Sequence, residues 1–239
     1  MTMPFYVAPE QMMKDRADFA RKGISRGRAL AAVSIQEGIL ICAENRSRTL
    51  RKVSEIYDRV AFAGVGRYNE FDQLRIAGIR HADMKGYTFS RQDVDARSLA
   101  NQYAQLLGQT FTHEMKPLEV EILVTEVGPT HNTDQMFHIL YDGTVNDESG
   151  ITVLGGSCEV IADKLQESYE PTWQLPEAIG AAAQALSSSD ATHNTEDLTA
   201  PNNAVLGADE LEVALLARGK SGRAFQRIEG QALAEHLER

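Results

Sequence analysis

Apolar positions along the chain fall into short runs broken by polar turns and into longer stretches with helical spacing. Ala29 to Val33, with Ile35, form one run, Gln36-Glu37-Gly38 a turn, and Ile39 to Ala43 a second run that closes on Glu44. Two runs of this length around a glycine-containing turn predict a buried antiparallel hairpin. Ahead of it, Pro9 suits a first helical position, Glu10 the positive end of a helix dipole, Arg21 and Lys22 the negative end, and Gly23 a stop. Met12, Met13, Ala17, Phe19 and Ala20 share an arc of about 160 degrees on that helix. Arg16 is the charged residue inside the arc, placed either to snorkel to the edge of the chain's own core or to reach a neighbouring subunit.

Beyond the hairpin, Ile56-Tyr57 and Val60 to Ala63 predict further strand, and Gly64-Val65-Gly66 a tight turn into a helix near 68–85, with Phe71, Leu74, Gly78 and Ala82 as its stripe and Gly86 as its stop. A second helix is predicted near 93–113, carried by Leu99, Tyr103, Leu106, Leu107 and Thr110. Val120, Ile122 and Val124 then alternate as in a strand, Met136 to Tyr141 form another before the Asp142-Gly143 turn, and Ile151 to Leu154 a short fifth that stops at Gly155-Gly156. Helices follow near 158–169 and 176–187. Residues 187–207 hold few large aliphatics, which predicts a mobile surface loop. Leu211 to Leu216 and Ala224 to Ile228 make a closing hairpin, and a last helix falls near 230–237. This order predicts an α+β protein whose helix pairs cover the faces of antiparallel sheets.

Composition narrows the class. The chain has 239 residues, 43% of them hydrophobic, enough for one sizeable core. No apolar run approaches the ~20 residues that span a bilayer, and MTMPFYVAPEQ lacks the basic-then-apolar order of a signal peptide, so a cytosolic protein with no membrane partner is expected. Cys42 and Cys158 make neither a disulfide framework nor a zinc site and read as buried thiols. Net charge is −10, which argues against nucleic acid as a partner, yet residues 1–60 carry +4 and the remainder −14. The N-terminal quarter is therefore the electropositive end, by function as an anion-attracting face or simply by solvated placement.

Most catalytic signatures fail on spacing. Gly64-Val65-Gly66 lacks the third glycine of a dinucleotide loop, where Asn69 stands, and Gly155-Gly156-Ser157-Cys158-Glu159 lacks the final glycine of a nucleophile elbow. The six histidines show no metal spacing, and His138 reads as a hydrogen-bonded strand residue. No metal or other cofactor is expected. Cys42 in an apolar strand is a protected thiol. Thr2, which would lead the chain if Met1 were removed, is followed by Met3-Pro4-Phe5 rather than by a strand that would hold its amine and hydroxyl in register.

Three stretches, PEQMMKDRADFARKGISRG, GILICAENRSRTLRKVSEIYDRVAFAGVGRYNEFD and YDGT followed by LGG, resemble the proteasome subunits of the N-terminal-nucleophile hydrolase class, most closely the alpha type of actinobacterial particles. The resemblance covers nearly the whole chain. It implies a four-layer αββα sandwich over residues 9–239 and an N-terminal gating segment over 1–8. In the catalytic branch a threonine freed by autoprocessing begins the first strand, and an acid ends the second. Here Glu44 matches the acid, but Arg28 falls where the threonine would be, with a segment ahead of it, so the resemblance implies the non-catalytic version. The competing possibility is a self-contained peptidase processed before an internal residue such as Ser25.

The resemblance further implies a seven-membered ring of identical copies stacked on a catalytic beta subunit, and a pocket that receives the C-terminal tails of an AAA-type ATPase feeding unfolded or tagged proteins. Lys52 matches the lysine that pairs with the tail's terminal carboxylate, and Gly23 a glycine lining the same pocket. An ordinary solvated lysine paired with Glu55 is the alternative for Lys52. Met1, Thr2, Met3, Pro4, Phe5, Tyr6, Val7 and Ala8 match the gate, although the Tyr-Asp-Arg motif of archaeal and eukaryotic gates is missing from them.

Overall fold

The computed structural model describes residues 8–47, 49–188 and 206–238. The predicted opening hairpin is β1 (Leu30–Ile35) and β2 (Gly38–Glu44), paired antiparallel with Leu30 opposite Ala43 and Ala32 opposite Ile41. Around it one sheet runs in the order β10-β9-β2-β1-β8, with β8 at Ile151–Leu154, β9 at Leu211–Ala217 and β10 at Phe225–Ile228. The second sheet runs β3-β4-β5-β6-β7, from Val53–Tyr57, Val60–Gly66, Val120–Glu126 and Gln135–Ile139 to Val145–Glu148.

Alternation along the strands builds three apolar layers, since successive side chains point to opposite faces. Leu30, Ala32, Ile39 and Ile41 meet Ala61, Ala63, Val65, Leu123 and Met136 between the sheets. Their neighbours Ala31, Val33, Leu40 and Cys42 turn outward onto α4 (Cys158–Ser168) and α5 (Leu175–Ser187), through Ile161, Leu165, Ile179 and Leu186. Phe62, Ile122, Val124 and Phe137 turn the other way onto α2 (Tyr68–Thr88) and α3 (Ala96–His113), through Phe71, Leu74, Leu99, Tyr103 and Leu107. The result is the αββα sandwich the resemblance implied. Each fully buried large aliphatic or aromatic contributes about 1.5–3 kcal/mol, so the layering itself is the main stabilising term. The helix α6 (Gln231–Leu237) lies against α5.

α1 (Pro9–Ile24) crosses one end of the sandwich, where Ala20 and Ile24 enter the layer between the sheets. Arg16 donates to the Phe111 carbonyl at 2.6 Å, which is the snorkelling placement at the chain's own edge.

Several glycines act differently from the sequence expectation. α1 continues through Gly23 to Ile24, and a Cβ on Gly23 would stand 2.7 Å from the Glu119 side chain, so the residue is a close-approach point rather than a stop. α2 likewise runs through Gly86, where a Cβ would meet the Tyr57 hydroxyl at 2.2 Å. Gly64-Val65-Gly66 is the end of β4 and not a turn; Gly66 alone breaks conformation, at φ +110°. α3 starts at Ala96 after a 3-10 turn over Arg91–Asp93, capped by the Asp95 side chain on the Ser98 amide.

β7 had no apolar pattern to predict it. Cys158, expected to be buried, is exposed at the start of α4. Of the loop expected over 187–207, Ser187 ends α5 and Leu206 is buried, while residues 189–205 lie outside those described.

Candidate functional site

At the end of the sandwich where α1 hands over to β1, the chain passes from Ser25 through Arg28 and joins the sheet beside Glu44, whose amide donates to the Ala29 carbonyl at 3.0 Å. Ser25 is the C-terminal cap of α1, its amide bonded to the Arg21 carbonyl at 2.8 Å, and so lies ahead of the strand rather than at its first position. Arg28 fills the expected nucleophile position, and its Nη1 pairs with Glu44 Oε1. Glu44 is only 2% exposed while the Arg28 side chain is 42% exposed, so the acid is sealed and the guanidinium faces outward. Arg46 Nη2 stands 3.7 Å from the same carboxylate oxygen, and Arg46 Nε pairs with Glu210 at 3.1 Å.

Lys52 joins this cluster. Its Nζ donates to the Arg28 carbonyl at 2.6 Å, and its own carbonyl accepts from the Gly64 amide at 3.1 Å. Glu55 is not its partner: that carboxylate takes Arg223 Nε at 2.7 Å. Burial pushes the Lys52 amine down to about 8; Glu44 and, more weakly, Glu212 hold it up, while Arg28 lowers it further.

Gly23 lies at the same end, over the side chain of Glu119, which pairs with Arg67 and stands 3.6 Å from Lys116. Glu70 fixes that group by accepting from Lys116 Nζ and from the Glu119 amide, each at 2.7 Å. Lys52 and Gly23 thus sit at neighbouring steps along β4, one beside Gly64 and the other over the acid that borders Gly66 and Arg67. Of the expected gate, Ala8 is exposed and caps α1 with its carbonyl on the Met12 amide at 3.1 Å, and Met1 to Val7 lie outside the described residues.

Glu212 was not singled out from the sequence, yet it organises the backbone beneath Lys52. It accepts from the Lys52 amide (2.8 Å), the Val53 amide (3.2 Å), Asn45 Nδ2 (2.7 Å) and Arg227 Nη1 (2.7 Å), and so pins the segment between β2 and β3 to β9. Its signal was legible: an acid inside the apolar run LEVALLA must be paired to be buried.

Elsewhere the chemistry is quiet. His138 Nε2 lies 3.3 Å from Glu121, as a hydrogen-bonded strand residue should. Burial pushes the Cys42 thiol up to about 12, far from nucleophilic range. Among the described residues no group of three or more His, Cys, Asp or Glu side chains converges to hold a metal ion, and no helix is long and apolar enough to cross a membrane.

Two antiparallel sheets enclosed by helix pairs, with an acid ending the second strand beside the start of the first, define the sandwich of the N-terminal-nucleophile hydrolase class. Within that class the chain belongs to the proteasome subunit family, whose family model matches residues 24–205. It is 56% identical over 237 residues to the proteasome subunit alpha of Acidimicrobium ferrooxidans, covering 99% of this chain and 97% of that one. The proteasome subunit alpha of Kineococcus radiotolerans is 51% identical over 234 residues (98% and 97% covered), and that of Thermobifida fusca 50% over 238 (100% and 92%).

Proposed function

We propose that this chain is the non-catalytic alpha subunit of a 20S proteasome core, that seven copies form each outer ring, and that the ring gates the path to a proteolytic chamber built by a catalytic beta subunit. The observation that carries the reading is the Arg28–Glu44 pair. An N-terminal nucleophile needs a hydroxyl or thiol beside its own free amine, and this position holds a guanidinium in mid-chain, already paired with the acid. Exposed apolar side chains support assembly: Met12 and Phe19 on α1, and Met84, Tyr87 (94% exposed) and Phe89 (74%) at the end of α2.

In this reading residues 1–8 converge over the axial pore, and the cleft at Lys52 and Gly23 takes the C-terminal tail of an AAA-type ATPase that delivers unfolded or tagged proteins. A protonated amine in a partly desolvated cleft suits a terminal carboxylate better than one in open water. The particle belongs in the cytoplasm.

The test is the native mass of the tagged chain purified from its own cells, with peptide hydrolysis assayed on the same fraction. A very large two-component particle, active only while the partner keeps its N-terminal threonine, is expected. Deleting residues 2–8 should then speed peptide hydrolysis by that particle. A small single-component species that still cleaves peptides, with an intact mass beginning at Ser25, would overturn the reading.

A further inference from the structure

We propose that Arg28 is a second carboxylate-receiving residue of this cleft, and that Glu44 occupies it until a peptide with a free C-terminal carboxylate displaces it. The inference rests on the reading of the Lys52 cleft as the docking site for such a tail.

Three features lead to it. A guanidinium has five N–H donors, yet among the described residues Glu44 is the one acceptor for Arg28, whose side chain is 42% exposed. Lys52 Nζ is tied to the carbonyl of Arg28 itself, so amine and guanidinium are anchored at one backbone position, near enough for the two charges to feel each other. Glu44 also keeps a cation when Arg28 leaves, because Arg46 Nη2 is 3.7 Å from the same oxygen. Exchange therefore does not strand a buried charge, which is what usually locks such pairs. A carboxylate has two oxygens, and an amine with an adjacent guanidinium fork offers a partner to each, whereas a lysine alone is a single point charge.

The proposal makes Arg28 and Glu44 opposite in sign, although they are partners in the structure. The probe is a pool of fluorescein-labelled octapeptides with randomised last three positions and a free C-terminal carboxylate, set against the same pool amidated, titrated onto the assembled particle. Arg28→Gln should weaken binding of the free-acid pool by about tenfold, the scale of one lost charge-assisted hydrogen bond. Glu44→Gln should tighten it by several-fold, because the competitor is gone, and the amidated pool should respond to neither.

If Glu44→Gln weakens binding as Arg28→Gln does, the pair is only a structural clasp and the proposal falls. If Arg28→Gln has no effect, it falls as well. Lys52→Ala is measured alongside: retained binding in that variant removes the docking reading itself, and the proposal with it, whereas lost binding with Arg28→Gln unchanged removes the proposal alone. Should Glu44→Gln not assemble, phenylglyoxal labelling of the unsubstituted particle decides. The free-acid pool should protect Arg28 from modification, read by mass spectrometry, and equal labelling with both pools overturns the assignment.

Discussion

The two ends of the β-sandwich carry the same chemistry, an arginine on a buried acid, and use it in opposite ways. At the end where β1 turns into β2, Arg218 meets Asp134 with both Nη atoms, at 2.7 and 2.9 Å, and donates also to the carbonyls of Gln36 (3.1 Å), Ile35 (3.1 Å) and Gly128 (2.8 Å). Asp134 takes two further donors, the Gly128 amide at 2.9 Å and Ser34 Oγ at 2.5 Å. All five guanidinium donors are used, and the side chains are 13% and 3% exposed. At the other end Arg28 gives Glu44 one donor and faces outward, with Lys52 and Arg46 beside it. A saturated pair is a brace, since nothing remains for a ligand to satisfy. An unsaturated pair with further cations beside it leaves donors for an anionic ligand, the role proposed above for this end.

That contrast can be broken most directly at the brace. Asp134→Ala leaves the Arg218 charge buried without its counter-ion, which should cost about 3–5 kcal/mol and lower the melting temperature of the assembled particle; an unchanged melting temperature would mean the pair does not brace the sandwich. Lys52→Ala at the opposite end should leave the melting temperature nearly unchanged and weaken tail docking by about thirtyfold, the low end of what truncating one partner of a desolvated charge pair costs. Equal loss of stability at both ends would erase the distinction between brace and receptor.

The smallest effect sharpens the receptor alone. The Lys52 amine, pushed down to about 8, holds its proton below that pH and loses it above. Docking of a carboxylate should therefore decline by up to about tenfold between pH 7 and 9, as the charged fraction falls. Lys52→Arg, which stays charged, should flatten the profile; a decline that persists in that variant would place the titrating group elsewhere. The stability effect runs the other way. With the folded-state pKa below its unfolded value, the unfolded chain binds more protons between about pH 8 and 10.5, so Lys52 favours the folded state increasingly as pH rises through that window.

The β1–β2 hairpin, the α1 start at Pro9 and the α3 stripe of Leu99, Tyr103 and Leu107 were legible because local pattern and burial agree there. β7 was not legible: its residues Val145, Asn146 and Asp147 are exposed, and the strand exists because β6 offers it a free edge of backbone donors and acceptors. The glycines were misread for a related reason. Gly23 and Gly86 look like helix stops in one dimension, but a side chain from a distant part of the chain, Glu119 or Tyr57, fills the space where their Cβ would be.

For the candidate site, Arg28, Glu44, Lys52 and Gly23 were named from residue order and resemblance. The sequence thus determined most of the element types and, through the resemblance, the arginine expected at the nucleophile position, because these depend on side-chain period and residue identity. Only the tertiary structure decided that Lys52 hangs from the Arg28 carbonyl instead of Glu55, that Glu212 pins the Lys52 backbone from 160 residues away, and that one arginine is saturated while another is not. Those facts depend on which donors remain after every strand has paired, and the number left over is fixed only once the whole sandwich has closed.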